Sequence, residues 1–159
     1  MSDEGEAENK ARADMAAFVK RNQARFMPIY DALVSGRGVA PFCWPGLLAP
    51  QAWFLYRKMY VWAALVSAGP LLLAYVPQLG WLTWGASIIG AFGLRLYLAY
   101  ARRTIARIRA TVADEAEVQA LIVRAGGVSR VGAGIGLAFA FSAFVMSLKA
   151  GAPGVFSLK

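Results

Sequence analysis

Met59–Val76 is a run of eighteen residues without a charge, and it dictates most of what this chain can become. At about 1.5 Å rise per residue, a helix of that length crosses most of a ~30 Å hydrocarbon core. Arg57 and Lys58 stand at its leading edge, where a cytoplasmic anchor belongs. Two further apolar runs follow: Trp81 to about Tyr100, interrupted by Arg95, and Val131–Leu148. The composition agrees. The 159 residues are 58% apolar and 16% charged, against about 25% charged in a soluble domain. An all-α membrane protein with three transmembrane helices is therefore predicted.

Charge sets the expected topology. Of the 17 Lys and Arg, eight lie in residues 1–58 and six in 101–130. Placing both segments in the cytoplasm satisfies the positive-inside rule and leaves the tail 149–159 in the periplasm. The turn Pro77-Gln78-Leu79-Gly80 then also faces the periplasm. The basic residues flank apolar spans, so the pI of 10.1 reads as membrane topology and attraction to anionic headgroups rather than nucleic-acid binding.

Residues 1–10 hold four acids and are expected to be a disordered tail. Their order is not that of a signal peptide. A cytoplasmic amphipathic helix is expected over 11–38, with Met15, Phe18, Phe26, Ile29, Tyr30 and Leu33 on one face and a bend at Pro28. Residues 39–56 are apolar but carry Pro41, Pro45 and Pro50. A straight crossing would leave backbone carbonyls unpaired in lipid, so a re-entrant or interfacial helix pair is predicted there. Pro70 should free a carbonyl near Val66. The membrane domain spans 39–148, with a cytoplasmic helical hairpin at 101–130. Asp114, Glu115 and Glu117 open its second helix and Gly126-Gly127 stop it.

Several motifs resemble those of a widespread family of small bacterial inner-membrane proteins of unknown function. These are Phe18-Val19-Lys20-Arg21-Asn22 with Phe26 and Tyr30, and the Trp-rich stretch from Trp44 ending in Leu55-Tyr56-Arg57-Lys58-Met59-Tyr60. Tyr97, Tyr100, Arg103 and Ile105 on a basic helix, and the turn Gly126-Gly127-Val128-Ser129, are similar too. The likeness covers roughly residues 15–130. Pro45 and Pro50 depart from the family's pattern. The resemblance implies a bacterial inner-membrane location and this architecture, and no reaction.

Candidate sites are few. Arg95, the one charge within a predicted span, either holds an anionic group or snorkels to the cytoplasmic surface. Arg57, Lys58, Arg102, Arg103, Arg107 and Arg109 could form one cytoplasmic cluster for anionic lipid or an acidic partner, or serve as topology anchors. Ala86 with Gly90, and Gly132 with Gly136, are small-residue faces for helix packing, within the chain or with another membrane protein or a second copy. Cys43 reads as a small buried hydrophobe. One cysteine and no histidine leave no disulfide and no conventional metal set, so no metal or other cofactor is expected. No acid lies at membrane depth, as a coupled pump would need, and no nucleophile has a plausible base. The expected function is non-enzymatic: an accessory, scaffold or assembly subunit of a membrane complex. The alternatives are a small oligomeric channel or transporter for an anionic or neutral solute, or an anionic-lipid-binding surface sensor.

Overall fold

The computed structural model describes residues 3–37, 41–73 and 81–151. The expected periplasmic turn 77–80 and most of the tail 149–159 lie outside them. All regular structure among the described residues is helical. The order is α1 (Asp3–Val19), α2 (Gln23–Val34), α3 (Trp44–Leu48), α4 (Pro50–Tyr56), α5 (Tyr60–Leu73), α6 (Trp81–Ala91), α7 (Gly93–Thr111), α8 (Glu115–Ala125) and α9 (Arg130–Gly151).

The N-terminal region departs from the expected pattern. Residues 3–10 are not a disordered tail but the exposed first turns of α1. Ala and Glu are good helix formers, and Glu6 lies near the positive N-terminal end of the dipole. The amphipathic helix is not one bent rod over 11–38. It breaks at Lys20 and Asn22, which both take the left-handed conformation with φ of 52° and 66°. Asn tolerates that region best among side-chain-bearing residues. Pro28 sits within α2 without ending it.

Residues 41–56 form two short helices, α3 and α4, with Ala49 between them in a non-helical conformation (φ −142°, ψ 69°). Pro45 and Pro50 occupy the first turns of α3 and α4, where a missing N–H costs nothing. α4 lies at the centre of the fold: it packs on α9, α5, α6 and α7 and buries Pro50 through Phe54. It ends in a Schellman turn, with Met59 N–H donating to Phe54 C=O (2.9 Å) and Lys58 N–H to Leu55 C=O (3.1 Å). Lys58 fills the left-handed position, φ 59°, that usually takes glycine.

One stretch among the described residues, Glu115–Ser142, is long and apolar enough to cross a membrane. Gly126–Ser129 interrupts it, so its continuous apolar part is α9, whose 22 residues span about 33 Å. Three membrane-length helices are not present among the described residues. α5 is described over 14 residues, about 21 Å. The run 81–100 is divided at Phe92, because the Ala91 carbonyl accepts from Cys43 N–H (3.0 Å) and Gly93 lies against the Trp53 ring.

Candidate functional site

The core is aromatic, and its centre is Tyr97 of α7, which is fully buried. Phe26 of α2 meets Tyr97 edge to face, with centroids 5.4 Å apart, and Phe18 of α1 and Trp53 of α4 approach it at 6.2 and 6.3 Å. Into this cage points Arg57. Its guanidinium carbon lies 4.4 Å from the Phe26 centroid and 4.7 Å from that of Tyr97. Arg57 is 4% exposed, and its Nε and Nη1 are buried without a hydrogen-bond partner. The Tyr97 hydroxyl is likewise buried without one. Ring faces offset part of the cost of burying a cation, but they accept nothing from the in-plane N–H groups.

Arg57 borders a cavity of about 200 Å³, which Asn22, Arg25, Phe26, Cys43, Trp53 and Tyr56 also line. No carboxylate stands in that wall. An open apolar groove of about 260 Å³ adjoins it, running between α3, α4 and Leu137 of α9. Pro45, Trp53 and Tyr56 belong to both spaces. Phe42, Trp44 and Leu48 are exposed on the same segment.

The predicted cationic residues have different fates. Lys58 turns away from Arg57 and donates through Nζ to Gly126 C=O (2.8 Å) and Arg124 C=O (3.2 Å). It thus caps the negative end of α8. Arg95, Arg102, Arg103 and Arg107 are exposed along α7. Arg95 is not enclosed, so it forms no constriction within a single chain. Arg109 is a structural residue: it holds buried Asp14 through Nη2–Oδ1 (2.8 Å) and Glu115 through Nη2–Oε1 (3.0 Å). Lys10 and Gln119 complete this network, which ties α1, α7 and α8 together. Arg109 first, then Lys10 and Gln119, hold the Glu115 carboxyl down to about 2. The reciprocal bonds raise the Arg109 guanidinium.

The small-residue faces pack within the chain. A Cβ on Gly90 would lie 1.8 Å from the Gly46 carbonyl oxygen of α3, and one on Gly136 would lie 2.4 Å from Ala52 Cα of α4. Gly132 sits against the Leu55 carbonyl, and Ala86 is buried. Cys43 is buried as a free thiol.

Gln51 was not singled out by sequence reasoning. It is the one amide in an otherwise apolar stretch, which was the available signal. Its Nε2 donates to the Val66 carbonyl (3.3 Å). Pro70, four residues on, supplies no N–H to that oxygen, as the sequence predicts.

The recurrent motifs converge in space. Gly127 N–H donates to Phe18 C=O (2.8 Å), and Ser129 N–H donates to Tyr56 C=O (2.8 Å). Ser129 Oγ also accepts from Gly132 N–H (3.0 Å), which caps α9. The turn at 126–129 therefore pins the ends of α1 and α4 together. Comparison with family models, curated proteins and solved structures gives no match.

Proposed function

We propose that the chain is a non-enzymatic integral membrane protein of a bacterial inner membrane, and that it acts as an accessory or scaffold subunit presenting a basic cytoplasmic face. The observation that carries this reading is the division of its exposed surface. Val61, Leu65, Trp84, Ile88, Ile135 and Phe141 face outward on α5, α6 and α9. The outward side chains of α1 and of the second half of α7 are mostly charged or small. Soluble monomers rarely expose so many large apolar side chains, whereas a bilayer covers them.

On this reading α9 crosses the membrane, and α5 and α6 are the described parts of two further crossings. The motifs shared with the inner-membrane family favour the same location. Arg102, Arg103 and Arg107 then stand exposed at the cytoplasmic surface, available to anionic headgroups or an acidic partner. The alternative of a lipid-sensing protein is favoured by one observation, the unpaired Arg57 in a cavity whose wall shares Pro45, Trp53 and Tyr56 with an apolar groove.

The test is purification of the tagged chain in a mild detergent. A scaffold subunit should stay in the membrane fraction and elute with a stoichiometric partner, well above the mass expected for a 17.1 kDa chain in its micelle. Elution as a lone chain that conducts solute in liposomes would replace the scaffold with the channel.

A further inference from the structure

We infer that the Arg57 cavity and the adjoining groove form one binding site for an anionic glycerophospholipid, with the phosphate at Arg57 and Arg25 and an acyl chain along Pro45, Leu48, Ala49 and Leu137. The inference rests on the membrane placement proposed above.

Arg57 supplies the first argument. It is more than nine-tenths buried, lines the cavity and has two nitrogens, Nε and Nη1, without a partner. A buried guanidinium left so is costly unless something accepts those bonds. The Phe26 and Tyr97 rings hold it in place, so its planar fork is presented ready-made. That fork matches two oxygens of a phosphate.

The lining chemistry supplies the second. Arg25 and the Asn22 amide stand in the same wall, and no Asp or Glu does. Two cations without a counter-carboxylate select a ligand of net negative charge. They offer nothing to a headgroup's own ammonium.

The third argument is continuity. A free oxyanion needs a polar cavity and no more, yet three residues of this wall, Pro45, Trp53 and Tyr56, also line a nearly wholly apolar groove. Exposed Trp44 and half-buried Tyr56 are of the residue types that favour a headgroup boundary. A molecule with a charged phosphate and a hydrocarbon tail fits both halves, and the surrounding bilayer supplies it.

The experiment is native mass spectrometry of the full chain purified in mild detergent, titrated with phosphatidylglycerol, phosphatidylcholine or inorganic phosphate. One phosphatidylglycerol per chain should bind about ten-fold more tightly than phosphatidylcholine. Millimolar inorganic phosphate should not displace it. Arg25→Gln changes an exposed side chain and should weaken binding several-fold. Arg57→Lys keeps the charge without the fork and should weaken it about ten-fold. Leu137→Trp fills the groove and should also reduce retention. Equal binding of the two lipids, or no change with Arg25→Gln and Arg57→Lys, would overturn the site. Displacement by phosphate would make it a free-anion site and overturn the lipid assignment. Each sample is also scored for recovery in the membrane fraction and for its helical circular dichroism. Loss of binding in a chain that still inserts thus concerns the site alone, and a chain absent from membranes refutes the broader reading.

Discussion

Single residues carry the polar bonds that hold an apolar interior together, and Gln51 is the clearest case. Its amide satisfies the Val66 carbonyl that Pro70 leaves without a donor. Gln51→Leu should lower stability by about 2 kcal/mol, the usual cost of a buried unsatisfied acceptor. In a Pro70→Ala background the N–H returns, so the same change should cost much less. Thermal unfolding of the four proteins in detergent measures the coupling; equal losses in both backgrounds would refute it. Glu115 gives a pH test. Its carboxyl is held below the ordinary 4.5, at about 2. A depressed folded value means that the stabilisation is complete above about 4.5 and is lost as pH falls toward 2. Wild type and Glu115→Gln should therefore differ in Tm at pH 6 and converge near pH 2. A constant gap across that window would show that the Arg109 bond does not set the carboxyl. At this scale the sequence was partly legible. The carbonyl freed by Pro70 follows from covalent chemistry, but the donor that answers it comes from a segment packed against α5, which no local pattern reveals. Arg57 and Lys58 are neighbours with the same charge, yet one turns into the aromatic cage and the other to the end of α8. That choice depends on the Schellman turn between them, which lacks its usual glycine signal.

Helices in this fold approach one another by removing side chains at the contact. Gly46 of α3 faces Gly90 of α6, and Gly136 of α9 faces Ala52 of α4. Gly90→Ala and Gly136→Ala each put a Cβ into backbone that cannot move aside, and each should cost about 3 kcal/mol, as overpacking a tight contact does. Gly85 of α6 and Gly134 of α9 meet nothing within 4 Å. Alanine there should be neutral or stabilising by about 0.5 kcal/mol, because it restricts the unfolded chain and favours helix. Denaturation of the four variants separates packing glycines from permissive ones. Similar effects at all four would mean that helix propensity, not contact, governs. The small-residue spacing showed which glycines lie on a common face. It could not show that their partners are the two short helices, since α3 and α4 are too brief to announce a packing face. The proline spacing did announce two pieces rather than one rod. The break between α6 and α7 was unreadable because it is made by Cys43 and Trp53, more than thirty residues earlier in the chain.

Across the whole molecule, exposure divides by chemistry, and that division sets up the test of the topology. An apolar flank on α5, α6 and α9 stands apart from a charged one on α1, α8 and the end of α7. The charged flank is internally braced: the Asp14–Arg109–Glu115 network joins three helices and pairs the buried Asp14. On the proposed placement, a head so braced would keep its shape at the membrane surface rather than lie flat on it as a single amphipathic helix would. Both basic segments, 1–58 and 101–130, belong to this head or to its junction with the apolar flank, so they should share one side of the membrane. An odd number of crossings then places the C-terminus on the other side. A reporter active in the periplasm alone should score when fused after Lys159 or inserted at Gln78, and should stay silent at Ala113. Activity at Ala113 would overturn the topology. Silence after Lys159 with activity at Gln78 would mean that α9 lies along the surface despite its length. Silence at both would reduce α5 and α6 to a hairpin that enters the bilayer without crossing it, which is the arrangement their short described lengths permit if lipid deforms around them. We expect activity at Gln78, because Leu65 of α5 and Trp84 and Ile88 of α6 turn large apolar side chains outward, as crossing helices do.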